Sequence, residues 1–169
     1  MGLHQLRVRH RLPLSLDQAW GFFSDPRNLS VITPASMGFV IRTELPAVMY
    51  PGLIIAYTVK PLGPIPLPWV TEITHVRERE FFVDEQRSGP YRIWHHEHHF
   101  AAIPGGVEMT DIVSYALPFG VLGDVAEPLV VGDRVRGIFR YREEVLDDRF
   151  GRYTGAAAPE AGASSGATL

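Results

Sequence analysis

The sequence predicts one α+β domain: a strand, two short helices, a meander of six antiparallel strands and a long C-terminal helix. Three observations predict it. Residues 5–12 alternate, with Leu6, Val8, His10 and Leu12 on one side and Gln5, Arg7, Arg9 and Arg11 on the other, which is the period of a half-buried strand. The middle of the chain is a series of strand-like runs separated by turn residues. From Gly123 to Arg149, the apolar residues Val125, Leu129, Val135, Ile138, Phe139, Val145 and Leu146 mark one helical stripe.

Each element has a local cause. Ser15 with Gln18 forms a capping box, and Leu16, Ala19, Trp20 and Phe23 recur at helical spacing until Asp25-Pro26. A second short helix is expected from Arg27 or Asn28 to Ile32, before Pro34. Phe39 and Ile41 share one strand face, and Leu53, Ile55, Tyr57 and Val59 share the next. KPLGPIPLP (60–68) carries four prolines in nine residues and is read as an irregular loop, because proline cannot serve a central ladder. WVTEITHV, FFVDEQR, RIWHHEHHFAAI and VEMTDIVSYAL complete the meander, and Gly105-Gly106 reads as its two-residue hairpin turn. In the last helix, Pro128 predicts a kink or a true start, and Gly132 and Gly137 imply close packing. The domain is expected to span 1–153. The small-residue stretch Thr154–Leu169 has nothing to bury and reads as a disordered tail.

Composition excludes several classes. A length of 169 residues suits one domain, which at this size buries roughly 70% of its unfolded surface. There is no cysteine, which removes disulfides, thiolate metal sites and cysteine nucleophiles. Sixteen basic against nineteen acidic residues, a net charge of −3, argue against nucleic acid as a partner. No apolar run approaches the ~20 residues of a membrane span and MGLHQLRVRHRLPLSL has no leader pattern, so no membrane insertion and a cytoplasmic setting are expected. No GxSxG, phosphate loop, dinucleotide fingerprint or HExxH occurs, and no cofactor is assigned.

The order of elements resembles the helix-grip fold of START-like proteins, the SRPBCC superfamily. SLDQAWGFFSDPRNLSVITP looks like that superfamily's first helix pair, and GGVEMTDIVSYALPFGVLG like its final strand and entry into the long helix. FVDEQRSGPYRIWHHEHHF is similar to a subgroup of uncharacterised bacterial proteins of polyketide cyclase/dehydrase type. The likeness runs from Leu3 to Tyr153 and implies a curved antiparallel sheet wrapped around the C-terminal helix, with a cavity between them. It leaves function open, because one fold hosts many.

WHHEHHF is the most unusual string in the chain. On a strand, Trp94, His96, His98 and Phe100 face one way, and Ile93, His95, Glu97 and His99 the other. The bulkier apolar set is assigned to the helix side. A two-residue loop at Gly105-Gly106 would set Phe100 opposite Asp111, His98 opposite Val113 and His96 opposite Tyr115. An odd-numbered loop at residues 88–91 would bring Phe82, Asp84 and Gln86 to the same face. The concave wall then holds Asp84, Gln86, His96, His98, Asp111 and Tyr115 among Trp94, Phe100 and Val113, with Ile138 on the helix, and these ten are the candidate ligand-binding residues.

Buried polar groups must find partners in each other, in water or in a ligand. The wall is therefore a self-satisfied network, a patch that orients a ligand, or acid/base machinery with His96 or His98 oriented by Asp84 or Asp111. Histidines at i and i+2 can chelate, but nothing else in the sequence calls for a metal and none is assigned. Trp20, Trp69 and the phenylalanines read as core or cavity lining, and His4, His10 and His75 as structural. Arg136, Arg140, Arg142 and Arg149 read as a solvated face partnered by Glu143, Glu144 and Asp147.

The resulting expectation is a binding module for a small, mostly apolar molecule (lipid, aromatic or polyketide-like), as a monomer or dimer. The alternative is a cofactor-independent cyclase or dehydratase using His96, His98 and Asp111. A third class, an interaction domain, would show a closed core and an exposed apolar patch. Two histidines sharing one partly desolvated hollow are also expected to titrate apart, one held charged by a carboxylate and the other neutral.

Overall fold

The computed structural model describes residues 2–61, 64–118 and 131–155. The elements are β1 (His4–Leu12), α1 (Leu16–Phe23), 3-10 turns at Pro26–Ser30 and Ala35–Met37, β2 (Val40–Ile41), β3 (Leu53–Val59), β4 (Leu67–Arg77), β5 (Phe81–Ser88), β6 (Ile93–Ile103), β7 (Gly106–Ala116) and α2 (Gly132–Phe150). The strands form one antiparallel sheet in the order β1-β7-β6-β5-β4-β3-β2, and α1 and α2 pack on its inner face. This is the α+β order read from the sequence. Among the described residues, no helix is long and apolar enough to cross a membrane.

Local chemistry explains the N-terminal part. The Gln18 N–H donates to Ser15 Oγ (3.2 Å) and the Ser15 N–H to Gln18 Oε1 (2.9 Å), closing the predicted capping box. α1 then buries Ala19 and Phe23, and Trp20 meets the rings of Phe82 and Phe100 edge-on. Asp25 Oδ1 accepts from the Arg27 N–H (3.0 Å) and so opens the first 3-10 turn, one or two residues earlier than expected.

Three expectations are corrected. The hairpin turn is Pro104-Gly105 rather than Gly105-Gly106: Ile103 pairs with Gly106, and only Gly105 of the two glycines has positive φ (75°). Proline's fixed φ suits the first central position of a type II turn and glycine's freedom the second. The β6–β7 register therefore differs by two residues from the predicted one, which leaves every side chain on its expected face. Second, Leu67 and Pro68 of the proline-rich segment belong to β4. Pro68 pairs with Thr58 of β3, and β5 reaches only Val70, so the proline has a strand on one side only. Third, Gly137 is not a point of close approach, since an added Cβ would meet only Arg140 Nη2 at 3.8 Å.

The expected start of the last helix at Gly123, the Pro128 kink and residues 156–169 of the tail lie outside the described residues. α2 buries Val135, Phe139, Arg142 and Leu146. The chain after it returns to the hairpin, where the Tyr153 hydroxyl donates to the Pro104 carbonyl (2.6 Å). That closure makes Gly106 indispensable: a Cβ there would lie 2.2 Å from the Leu12 carbonyl oxygen and 3.1 Å from the Tyr153 ring.

The two glycines give opposite predictions. Gly106→Ala is expected to lower stability by about 1–3 kcal/mol, as other overpacked sites do, and so to lower Tm by several degrees. Gly137→Ala is expected to raise stability by roughly 0.5–1 kcal/mol through lower unfolded-state entropy and higher helix propensity. Thermal unfolding of the two variants beside the parent chain checks both signs.

Candidate functional site

The inner face of β5, β6 and β7 presents alternate residues of each strand, and their register builds the site. Asp84 pairs with His96 and Phe82 with His98 across β5–β6, while His98 pairs with Asp111 and His96 with Val113 across β6–β7. Each imidazole then bonds diagonally. His96 Nε2–H donates to Asp111 Oδ1 (2.8 Å), and His98 Nε2–H donates to Asp84 Oδ2 (2.9 Å). His98 Nδ1 also lies 2.9 Å from Asp111 Oδ1, an ionic contact without hydrogen-bond alignment. His96 Nδ1 faces Asp84 Oδ2 at 3.5 Å.

α2 adds a cation: Arg142 Nη1 donates to Asp111 Oδ1 at 3.3 Å. Arg142 is only 7% exposed, so its assignment to a solvated face is corrected. The signal was in the spacing, since Val135, Phe139, Arg142 and Leu146 fall at i, i+4, i+7 and i+11 on one stripe. Rings pack the cluster in place. Phe82 stacks on His98 (4.1 Å between centroids), Phe139 meets His96 edge-on (5.8 Å), and the Arg142 guanidinium lies 4.8 Å from the Phe139 centroid.

These contacts decide the charges. Burial opposes ionisation of Asp111, but the bond from His96, the close contact of His98 and the Arg142 charge outweigh it and hold its carboxyl well below the usual range. Asp84 is likewise held low: burial works against it and is overcome by the bond from His98 and the nearby charges of His96, His98 and Arg142. Burial also opposes the charged form of His98, yet the close contact with Asp111 and the bond to Asp84 raise its pKa. His96 moves the other way, because burial and the neighbouring His98 charge outweigh Asp111 and Asp84. The contacts thus favour the charged form at His98 and the neutral form at His96. The two rings are pushed in opposite directions.

The cluster forms one wall of a cavity of about 170 Å³ between the sheet, α1, the 3-10 turns and α2. Its other walls are largely apolar, including Phe22 and Phe23 of α1, Met37, Met49, Ile55, Ile73 and Val135. The polar groups of Tyr57 and Trp69 both meet Thr71 Oγ1 (2.9 and 3.0 Å), and burial raises the Tyr57 phenol far above its usual range.

Of the candidate residues, Asp84, Trp94, His96, His98 and Ile138 line the cavity. Asp111 stands behind both histidines. Gln86 is engaged in closing the β5–β6 connection, its Nε2 donating to the Tyr91 carbonyl (2.6 Å) and its Oε1 accepting from the Tyr91 N–H (3.2 Å). Phe100 is core beside Trp20 and Phe23, and Val113 and Tyr115 belong to a second apolar cluster with Val135 and Phe139. Lining residues not singled out from sequence include Thr71, which shares the inward parity of Trp69 and Ile73.

No family model matches the chain, and no curated protein sequence matches it. Solved structures do. Protein Ms6760 from Mycobacterium smegmatis is 16% identical with a TM-score of 0.62, over 86% of this chain and 92% of that one. Ginseng major latex-like protein 151 from Panax ginseng is 12% identical with a TM-score of 0.64, over 88% and 97%. Ara h 8.0201 is 15% identical with a TM-score of 0.57, over 87% and 99%. At these identities the likeness shows the fold, which is the helix-grip α+β fold of a curved antiparallel sheet around a long C-terminal helix.

The split of the histidines has a direct readout. In imidazole NMR titrations with chelator present, the His98 midpoint is expected above the ordinary value of about 6.5 and the His96 midpoint below it. Linkage follows in sign: the His98 share of stability is full below pH ~6.5 and lost as pH rises through its folded pKa. The shares of Asp84 and Asp111 are full above about pH 4 and lost on acidification through their lower folded values. Asp111→Asn, which leaves Arg142 and His98 buried without their counter-charge, is expected to cost on the order of 3–5 kcal/mol in denaturant unfolding.

Proposed function

We propose that the chain is a START-like (SRPBCC) binding module that holds one small, mostly apolar molecule, a lipid, an aromatic or a polyketide-like compound, in a cytoplasmic setting. The observation that carries this reading is the cavity itself: about 170 Å³ of space, apolar on most sides and polar on one. For comparison, an engineered cavity of ~150 Å³ in another protein takes up benzene. Convergent polar groups on one wall of an apolar hollow are the usual means of fixing a ligand's orientation. The apolar body of the ligand packs against Phe22, Ile55, Ile73 and Ile138, and its polar end meets His96, His98 and Asp84.

A second reading is favoured by one observation. His96 is anchored through Nε2 to Asp111, while its Nδ1 makes no hydrogen bond, which is the arrangement of an oriented imidazole base. In that reading His96 takes a proton from a bound substrate in a cyclisation or dehydration, and Asp111 fixes its tautomer.

Extraction and mass spectrometry of the purified protein, followed by thermal-shift screening of lipids, aromatics and polyketides, tests the first reading. A ligand at 100 times its Kd is expected to add about 2.7 kcal/mol and raise Tm by several degrees. Ile138→Trp, which fills the hollow, is expected to abolish that shift while the chain stays folded. A cavity that takes up none of these compounds would sink the binding reading. His96→Gln separates the two: loss of turnover with ligand affinity kept within about threefold indicates catalysis, and parallel loss indicates binding alone.

A further inference from the structure

Asp84, His96 and His98 do more than pair with one another: one ligand atom from each lies within 4.8 Å of the other two, at the wall of the cavity. The geometry points to a site for one divalent first-row transition-metal ion, bound by Asp84 Oδ2, His96 Nδ1 and His98 Nε2, with its remaining positions open to the cavity. An ion with ligands at about 2.0–2.2 Å, tetrahedral or octahedral, has neighbouring ligand atoms roughly 3.0–3.5 Å apart. Asp84 Oδ2 stands 2.9 Å from His98 Nε2 and 3.5 Å from His96 Nδ1. Small rotamer adjustments therefore bring the three atoms onto one coordination sphere.

The far nitrogens supply an independent observation. His96 Nε2 and His98 Nδ1 both turn to the same atom, Asp111 Oδ1, at 2.8 and 2.9 Å. Imidazoles that hold metals are characteristically oriented by a carboxylate or carbonyl on their other nitrogen. Here one buried carboxylate holds His96 by a hydrogen bond and stands against His98 Nδ1 as an ionic contact, and Arg142 balances its charge from α2 at 3.3 Å. A network needing only paired hydrogen bonds has no reason to turn the inner nitrogens of both rings toward one oxygen and the outer nitrogens of both toward another.

Two imidazoles and a carboxylate suit Zn²⁺, Fe²⁺, Co²⁺ or Ni²⁺ rather than Mg²⁺ or Ca²⁺, which favour oxygen. Three protein ligands leave one position open in a tetrahedral ion and three in an octahedral one. Those positions face the cavity, so the group that completes the sphere is water or an oxygen donor of a bound molecule. The site does not depend on the binding reading above, since an ion can bind with the cavity otherwise filled by solvent.

The full chain, stripped with chelator, is titrated with Co²⁺ by visible absorption and with Zn²⁺ by calorimetry. One equivalent is expected at a Kd of about 1 μM or tighter, with visible cobalt bands of nitrogen and oxygen ligation. H98Q and D84N are expected to weaken binding at least ~100-fold and D111N by ~10–100-fold, the usual range for partners of metal-bound imidazole. The double variant H95Q/H99Q, which removes the histidines of the outer face, leaves it unchanged. A wild-type Kd weaker than about 1 mM overturns the site without recourse to any variant. So does binding that survives H98Q and D84N but is lost in H95Q/H99Q. Apolar-ligand uptake measured with chelator present fails or succeeds separately, which keeps the two proposals distinguishable.

Discussion

Asp111 Oδ1 is the atom on which the interior is organised. It lies on β7, in a residue only 3% exposed, and receives His96, His98 and Arg142 within 3.3 Å. A lone carboxylate there would cost several kcal/mol in desolvation and would neutralise itself instead. Its three partners come from two elements, so satisfying it sets the β6–β7 register and the rotation of α2 against the sheet together. An apolar stripe can repack with modest cost, whereas a buried guanidinium aimed at one oxygen tolerates neither a one-residue slip nor a quarter-turn of the helix.

The same cluster explains why the apolar interior is divided. Leu12, Phe82, Phe100, Met109 and Leu146 form part of one group with α1, and Val113, Tyr115, Val131, Val135 and Phe139 form another. The polar residues Asp84, His96, His98, Asp111 and Arg142 sit on the inner face among both. Rings then do the insulating: Phe82 covers His98 on one flank and Phe139 covers His96 on the other. Low local dielectric strengthens every ionic contact inside that sleeve.

Much of this was legible in the sequence because side-chain parity is robust. The alternation of β1, the capping box at Ser15, and the inward set Trp94, His96, His98 and Phe100 all follow from periods of two or 3.6. Asp84 faces inward opposite His96, as an odd connection at residues 88–91 requires. Register was harder, since three consecutive residues, Pro104, Gly105 and Gly106, each carry turn chemistry and a two-residue displacement preserves every face. Yet that displacement carries Asp111 from Phe100 to His98 and so brings it within diagonal reach of His96. Arg142 was missed because charge was weighed above spacing, and Gln86 was wrongly included because its amide is consumed by Tyr91, which strand parity cannot register.

What separates this wall from a buried network that merely holds strands in register is its asymmetry. Asp111 lies on the closed side, and its Oδ1 is committed to His96, His98 and Arg142. Asp84, His96, His98 and Arg142 lie on the open side and line the cavity. Groups on the closed side supply charge and orientation, and groups on the open side present oriented nitrogen and oxygen atoms to whatever enters. An arrangement serving stability alone would place its best-oriented atoms where no solvent or ligand reaches, and Asp111 already occupies that position. The outward-facing members therefore define the chemical requirement on an occupant: a polar or cationic centre at one end, and apolar surface along the rest.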